Sequence, residues 1–233
     1  MKTLVIIPAY NEENSIGQVI ARIRLNLPQA DILVINDGSI DNTALIASNL
    51  GVEVIDLPFN LGIGGAMQTG YLYASRNGYN LAIQVDGDGQ HDPSYIGKLI
   101  EPVINSKVDM VIGSRYICKT DYKSTFSRRL GMLFFSALVN LLTGQKVKDT
   151  TSGFRVVNKT IIDYFAKRYP TDYPEVDVLI KLYRKNFRII EMPVEMCQRQ
   201  SGKSSITPIR SVYYLIKVSL SLIIGAISSE EGR

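Results

Sequence analysis

The sequence predicts an α/β protein with a mostly parallel central sheet and helices on both faces. Three observations carry this expectation. Short apolar, β-rich runs recur through the first half, stretches of helical spacing fill the gaps, and each run ends in a polar or glycine-rich segment. The first run is Thr3 to Ile7, and Ile16, Val19, Ile20 and Ile23 repeat behind it at the spacing of one helix face. Ile32 to Ile35, Val52 to Leu57, Leu81 to Val85 and Met110 to Ile112 read as the next four strands. Such βαβ order implies a sheet covered on both sides, with ligands at the carboxyl ends of its strands. Beyond about Tyr116 the alternation loosens. A basic stretch "SRRLGMLFF", a turn-like "DTTSGFR", a helix near Val176 to Lys185, a strand-like "FRIIEMPVEM" and a last apolar segment follow, and this half is expected to shape the second substrate's site. There is no repeat and no Pro/Gly-rich linker, so one domain is expected over residues 1–210, with an amphipathic helix over 211–233.

Composition sets the bounds. A chain of 233 residues, 45% hydrophobic and 21% charged, can bury a substantial core and is not disordered. With 26 basic and 22 acidic residues the net charge is only +4, too small for a dedicated nucleic-acid binder and sufficient for an anionic substrate or a membrane surface. Cys118 and Cys197 form neither a CxxC pair nor a disulfide framework, which fits a reducing cytosol. The opening "MKTLVIIPAYNEE" reads as a first strand and lacks the length and flanks of a signal peptide.

The strand exits hold the chemistry: "PAYNEE" (Pro8 to Glu13), "NDGSIDNT" (Asn36 to Thr43), "NLGIGGAMQTG" (Asn60 to Gly70) and "DGDGQHD" (Asp86 to Asp92). A structural loop needs only a turn residue, so four such exits in register point to one extended ligand. In an extended segment Asp86 and Asp88 face the same side, roughly 7 Å apart at Cα, and Gly87 and Gly89 leave room for a bulky anion. Oxygen-only ligands favour Mg2+ or Mn2+, with a diphosphate completing the shell. "DGDG" is otherwise a tight acidic turn, but its place at the exit of a buried strand favours the cation. "GIGGA" is not the dinucleotide fingerprint, which should follow the first strand, and a nicotinamide enzyme is therefore disfavoured. Its glycines serve either close packing of a helix start or direct phosphate contact.

These segments, with "IGSRY", "DTTSGFR" and "RQSGKSS", occur in an order and spacing that resemble family 2 glycosyltransferases of the dolichyl-phosphate mannose synthase-like branch, bacterial members in particular. The resemblance runs from Thr3 to about Lys217 and implies a GT-A fold, a UDP- or GDP-linked sugar donor, a divalent metal, Mg2+ or Mn2+, and inversion at the anomeric carbon. Position by position, it implies a nucleotide pocket lined by Pro8, Tyr10, Asn11 and Glu12, with Asp37 on the base or ribose, and with Asn60 and Gly64 in the nucleotide-binding set. Asp86 would lie near ribose and metal, while Asp88 and Gln90 match metal-ligating positions. His91 would reach a metal-bound group, or stay solvated, or cap a helix. Arg115 and Arg129 match positions used for anionic groups, with surface ion pairs as the alternative. Arg199 and Lys203 would close over the diphosphate.

Negative charge builds on the β-phosphate as the sugar leaves, so the metal and the Arg/Lys donors serve the leaving group. A hydroxyl acceptor would also need a general base, and Asp149 matches the family position nearest that role; a lipid phosphate is already ionised, and Asp149 would then orient. Glu175 is either an acceptor-positioning carboxylate or a helix N-terminal acid. Val212 to Ile227 is apolar but too short to span a bilayer, and its spacing suits either an interfacial or a core-packed helix. The expectation is an enzyme at the cytoplasmic face of a membrane, peripheral or held by a membrane partner, acting on a polyprenyl phosphate or a lipid-linked or polysaccharide glycan. A nucleotidyltransferase and a catalytically silent nucleotide-sugar-binding subunit are the rivals.

Overall fold

The structure is a computed structural model that describes residues 1–117, 126–170 and 174–197, with the backbone alone for residues 126–130. In chain order the elements are β1 (Thr3–Ala9), α1 (Ile16–Asn26), β2 (Asp31–Asn36), α2 (Thr43–Asn49), β3 (Glu53–Asp56), α3 (Gly62–Arg76), β4 (Leu81–Gln84), α4 (Ile96–Ile104), β5 (Met110–Ser114), α5 (Phe126–Thr143), β6 (Arg155–Asn158), α6 (Lys159–Lys167), α7 (Pro174–Arg184) and β7 (Ile189–Pro193). The strands form one sheet in the order β3-β2-β1-β4-β6-β5-β7. All neighbours are parallel except those of β6, which runs antiparallel to both β4 and β5.

Alternation along β1 divides the core into two layers. Leu4 and Ile6 face α3, α5, α6 and α7 through Met67, Tyr71, Phe135, Phe165 and Leu179. Val5 and Ile7 face α1 and α4 through Ile16, Ile20, Ile96 and Leu99. Strands buried on both faces read as continuous apolar runs, which is why β1, β2 and β4 were visible in the sequence. α3 lies close on β1: a Cβ on Gly70 would stand 2.5 Å from Ile6 Cγ2.

The parallel register sets the site. Ile6 pairs with Gln84 and Ala9 with Asn36, so β1, β2 and β4 end at one rim. Because β6 is reversed, its start joins that rim, with Arg155 opposite both Gln84 and Ile112. The turn-like "DTTSGFR" thus runs into a strand of its own, whose two valines stand between polar Arg155 and Asn158. At the opposite rim Asp109 accepts from the Arg188 backbone at 2.8 Å and from Asn158 Nδ2 at 3.0 Å, linking the starts of β5 and β7 to the end of β6.

Candidate active site at the carboxyl ends of the strands

The loops after β1 and β2 are stitched together. Asn11 adopts φ 55°, a left-handed conformation uncommon for a side chain other than glycine. It is held there by its N–H on Ser39 Oγ at 2.9 Å and by its Oδ1, which accepts from Ile40 N at 2.9 Å. Glu12 N donates to Thr43 Oγ1 at 2.8 Å and Glu13 N to Asp41 Oδ2 at 3.1 Å. Pro8 is buried at the end of β1, whereas Tyr10 is 47% exposed at the mouth.

Asp37 continues the ladder past β2 and is buried. Its Oδ1 accepts from Leu61 N at 2.7 Å, tying the end of β2 to the start of α3. Burial raises its carboxyl above the ordinary 3.8, against the pull of the Leu61 and Gly62 amides. Asn60 is exposed and caps locally, its Oδ1 accepting from Gly62 N at 3.0 Å, and Gly64 is buried in the first turn of α3. The glycines of "GIGGA" therefore open a helix, as both readings of them require.

The acidic loop leans on both neighbours. A Cβ on Gly87 would meet Pro8 O at 3.2 Å and Glu12 Cγ at 3.5 Å, and one on Gly153 would meet Gln84 Nε2 at 2.8 Å and Asp86 Oδ1 at 3.0 Å. The Asp86 side chain is 36% exposed, and Asp88 is buried with its Oδ1 accepting from Gln90 N at 3.0 Å. Two carboxylates and the Gln90 amide, all oxygen donors two residues apart, are the donor set a hard cation takes. Among the described residues no cluster of three or more His, Cys, Asp or Glu could hold a metal ion, so a cation here would draw further oxygens from its ligand. The residues fit a Mg2+ or Mn2+ held jointly with a diphosphate.

His91 departs from the solvated or capping reading. It is 3% exposed, its Nδ1 accepts from Asp86 N at 3.0 Å, and its ring stacks on Phe154 at 4.9 Å. Capping falls to Asp92, which accepts from Ser94 N at 3.0 Å.

On the far side Arg115 and Asp149 form a bidentate pair, Nε to Oδ2 and Nη2 to Oδ1 both at 2.7 Å, with the Arg115 backbone N–H also on Oδ2 at 3.0 Å. Asp149 is fully buried. Both of its oxygens are engaged by Arg115, an arrangement that matches the orienting role of the two expected for it. Glu191 on β7 accepts the backbone N–H groups of Lys148 and Asp149, each at 2.8 Å. Arg155, buried, donates to the carbonyls of Ser152 at 2.7 Å and Glu175 at 3.0 Å, tying this loop to the first turn of α7. The Glu175 carboxyl is raised above its ordinary 4.5 by burial and by the charge of Asp86, with Arg155 opposing.

The structure thus brings together Pro8, Tyr10, Asn11, Glu12, Asp37, Asn60, Gly64, Asp86, Asp88 and Gln90 through contacting loops, and sets Arg115, Asp149 and Glu175 on the adjoining side. Arg129 falls in α5, but its side chain lies outside the described residues, as do Arg199, Lys203 and the helix expected over 211–233. Sequence reasoning missed Arg155 and Glu191. Their signal was a single charge inside an apolar strand, "FRVV" and "IIEMP".

Comparison with known proteins agrees with this geometry. The profile of glycosyl transferase family 2 matches residues 4–165. The polyprenol monophosphomannose synthase of Mycolicibacterium smegmatis is 29% identical over 88% of this chain and 81% of its own length. A UDP-N-acetylglucosamine–dolichyl-phosphate N-acetylglucosaminyltransferase of Methanococcus voltae is 33% identical over 82% and 83%. Among solved structures, glucosyl-3-phosphoglycerate synthase from Mycobacterium tuberculosis, crystallised with Mn2+, UDP and glucosyl-3-phosphoglycerate, superposes with a TM-score of 0.69 at 20% identity, covering 86% of this chain and 73% of that one. The fold is GT-A.

Proposed function

The chain belongs to glycosyl transferase family 2, and from that premise we propose that it moves a sugar from a UDP- or GDP-linked donor to the phosphate of a polyprenyl lipid, inverting the anomeric carbon. The observation that carries the choice of acceptor is the Arg115–Asp149 pair. A hydroxyl acceptor would need a base, whereas Asp149 has both oxygens on Arg115. A lipid phosphate is already ionised, and a guanidinium locked by a buried carboxylate is a preorganised partner for it. The names of the two relatives carry the same acceptor class, with mannose in one and N-acetylglucosamine in the other.

On the donor side Pro8, Tyr10, Asn11, Glu12, Asp37, Asn60 and Gly64 frame the nucleotide, and Asp86, Asp88 and Gln90 present oxygens to Mg2+ or Mn2+. When bound, that cation supplies charge neutralisation at the departing diphosphate. Arg129, Arg199 and Lys203 are assigned anionic groups of donor or acceptor on their motifs alone. Glu175 supports a second reading, in which its raised carboxyl serves as base toward a hydroxyl of a lipid-linked glycan.

Membrane contact is part of the reading. Leu133, Phe134 and Leu141 are exposed on α5 at 57%, 45% and 81%, an apolar stripe with Lys146 and Lys148 exposed beyond the helix end. Among the described residues no helix is long and apolar enough to cross a membrane. We place the enzyme at the cytoplasmic face, held there by this stripe, by the 211–233 segment or by a membrane partner.

The test supplies UDP- and GDP-sugars with Mn2+, and either polyprenyl phosphate or a lipid-linked glycan, and analyses the products. Release of UDP or GDP only with polyprenyl phosphate is expected. Turnover with the glycan alone selects the Glu175 reading. Pyrophosphate release would identify a nucleotidyltransferase, and donor binding without turnover a silent subunit.

A further inference from the structure

We propose that His91 is a positioning residue, whose Nδ1 accepts from the backbone N–H of Asp86 and fixes it, and whose own backbone binds the acidic loop to Met196 and Cys197. The proposal rests on the reading that Asp86 and Asp88 hold a cation with the donor diphosphate.

An aspartate pair interleaved with Gly87 and Gly89 has a backbone with few restraints of its own, and Gly89 adopts φ 75°. His91 supplies restraint at three points. Its Nδ1 accepts from Asp86 N, so a neutral ring carries its proton on Nε2, which stands 3.5 Å from Asp86 Oδ2. Its face stacks on Phe154, the residue after Gly153, where an added Cβ would stand 3.0 Å from Asp86 Oδ1. Its backbone pairs with Met196 in an antiparallel bridge, beside the bond from Cys197 N to Gln90 O at 2.9 Å. A ring buried for packing alone would have no reason to direct both nitrogens at one aspartate.

His91 is the chain's single histidine, so its imidazole nitrogens give one set of resonances in a 15N spectrum. The full chain should show the Nε2–H tautomer, with Nδ1 the hydrogen-bond acceptor; an Nδ1–H tautomer overturns the proposal. Two substitutions of similar size separate acceptor placement from packing. In His91→Asn the amide oxygen takes the place of Nδ1, whereas His91→Gln puts its amide near Nε2 and leaves Asp86 N without an acceptor. Calorimetric titration with UDP, and separately GDP, is run with and without Mn2+. The Asn variant should bind within about threefold of wild type, and the Gln variant should lose roughly tenfold or more of the Mn2+-dependent binding alone, as loss of a residue orienting a metal ligand typically does. Equal binding by the two variants overturns the proposal. If both unfold, the tautomer decides. Wild-type binding indifferent to Mn2+ would instead sink the cation reading, leaving the hold on Asp86 to be judged by the tautomer.

Discussion

Asp149 keeps both carboxylate oxygens on Arg115 inside the protein, and truncating either partner strands the other. Breaking a buried pair costs about 3–5 kcal/mol, and here the loss should fall on turnover as well as folding. If Asp149 acts only through Arg115, the double variant Arg115→Ala/Asp149→Ala should lose no more kcat/KM than the worse single, as coupled residues do. Independent, multiplying losses would show the carboxylate acting on its own. Gly153→Ala tests the other side of the site. Its Cβ would stand 3.0 and 3.1 Å from the two Asp86 oxygens, so the carboxylate must shift by tenths of an ångström. We expect about a tenfold loss of turnover with little change in melting temperature, since misplacement near reacting groups is costly. Asp86 and Asp88 stood out because their spacing carries chemistry, whereas Arg115 and Asp149 were reached only through the resemblance to the family. His91 was misread because exposure is a property of the fold, and nothing local distinguishes a histidine stacked under Phe154 from one in solvent.

At the level of elements, the parallel strands were readable and β6 was not. β1, β2 and β4 are buried on both faces and so spell themselves out as apolar runs, while Arg155–Asn158 begins and ends on polar residues and its pairing with β4 and β5 is set by tertiary contact. α5 was visible only as a basic and apolar stretch, because apolar residues stand on its exposed face as well as on its buried one. The sheet's far rim supplies a prediction. Burial alone would raise the Asp109 carboxyl, but hydrogen bonds from the Arg188 side chain and backbone, the guanidinium charge and the Asn158 amide outweigh it and hold it below the ordinary 3.8. A depressed carboxylate contributes stability above its unfolded value and loses it as pH falls through the folded one. Asp109→Asn should therefore cost about 1–2 kcal/mol at neutral pH, and the gap to wild type in denaturant melts should close below pH ~4.

For the whole molecule, the proposed membrane contact is tested at the exposed apolar stripe on α5. Burying a large apolar side chain in lipid contributes about 1.5–3 kcal/mol, so Leu133→Ser/Phe134→Ser should lower partition onto vesicles by more than tenfold. Binding of the nucleoside diphosphate, measured in solution, should not change. Vesicle sedimentation unaffected by the pair would assign membrane contact to another part of the chain. The reversal of β6 has a wider outcome. Strand β5 leaves the sheet and β6 returns to it at the same rim, so the forty residues or so between them form a detour that starts and finishes beside the chemistry. Because both of its ends lie at one rim, a longer or shorter detour would leave the order of the strands unchanged, provided that the core contacts of Phe135 and Val139 on α5 were kept.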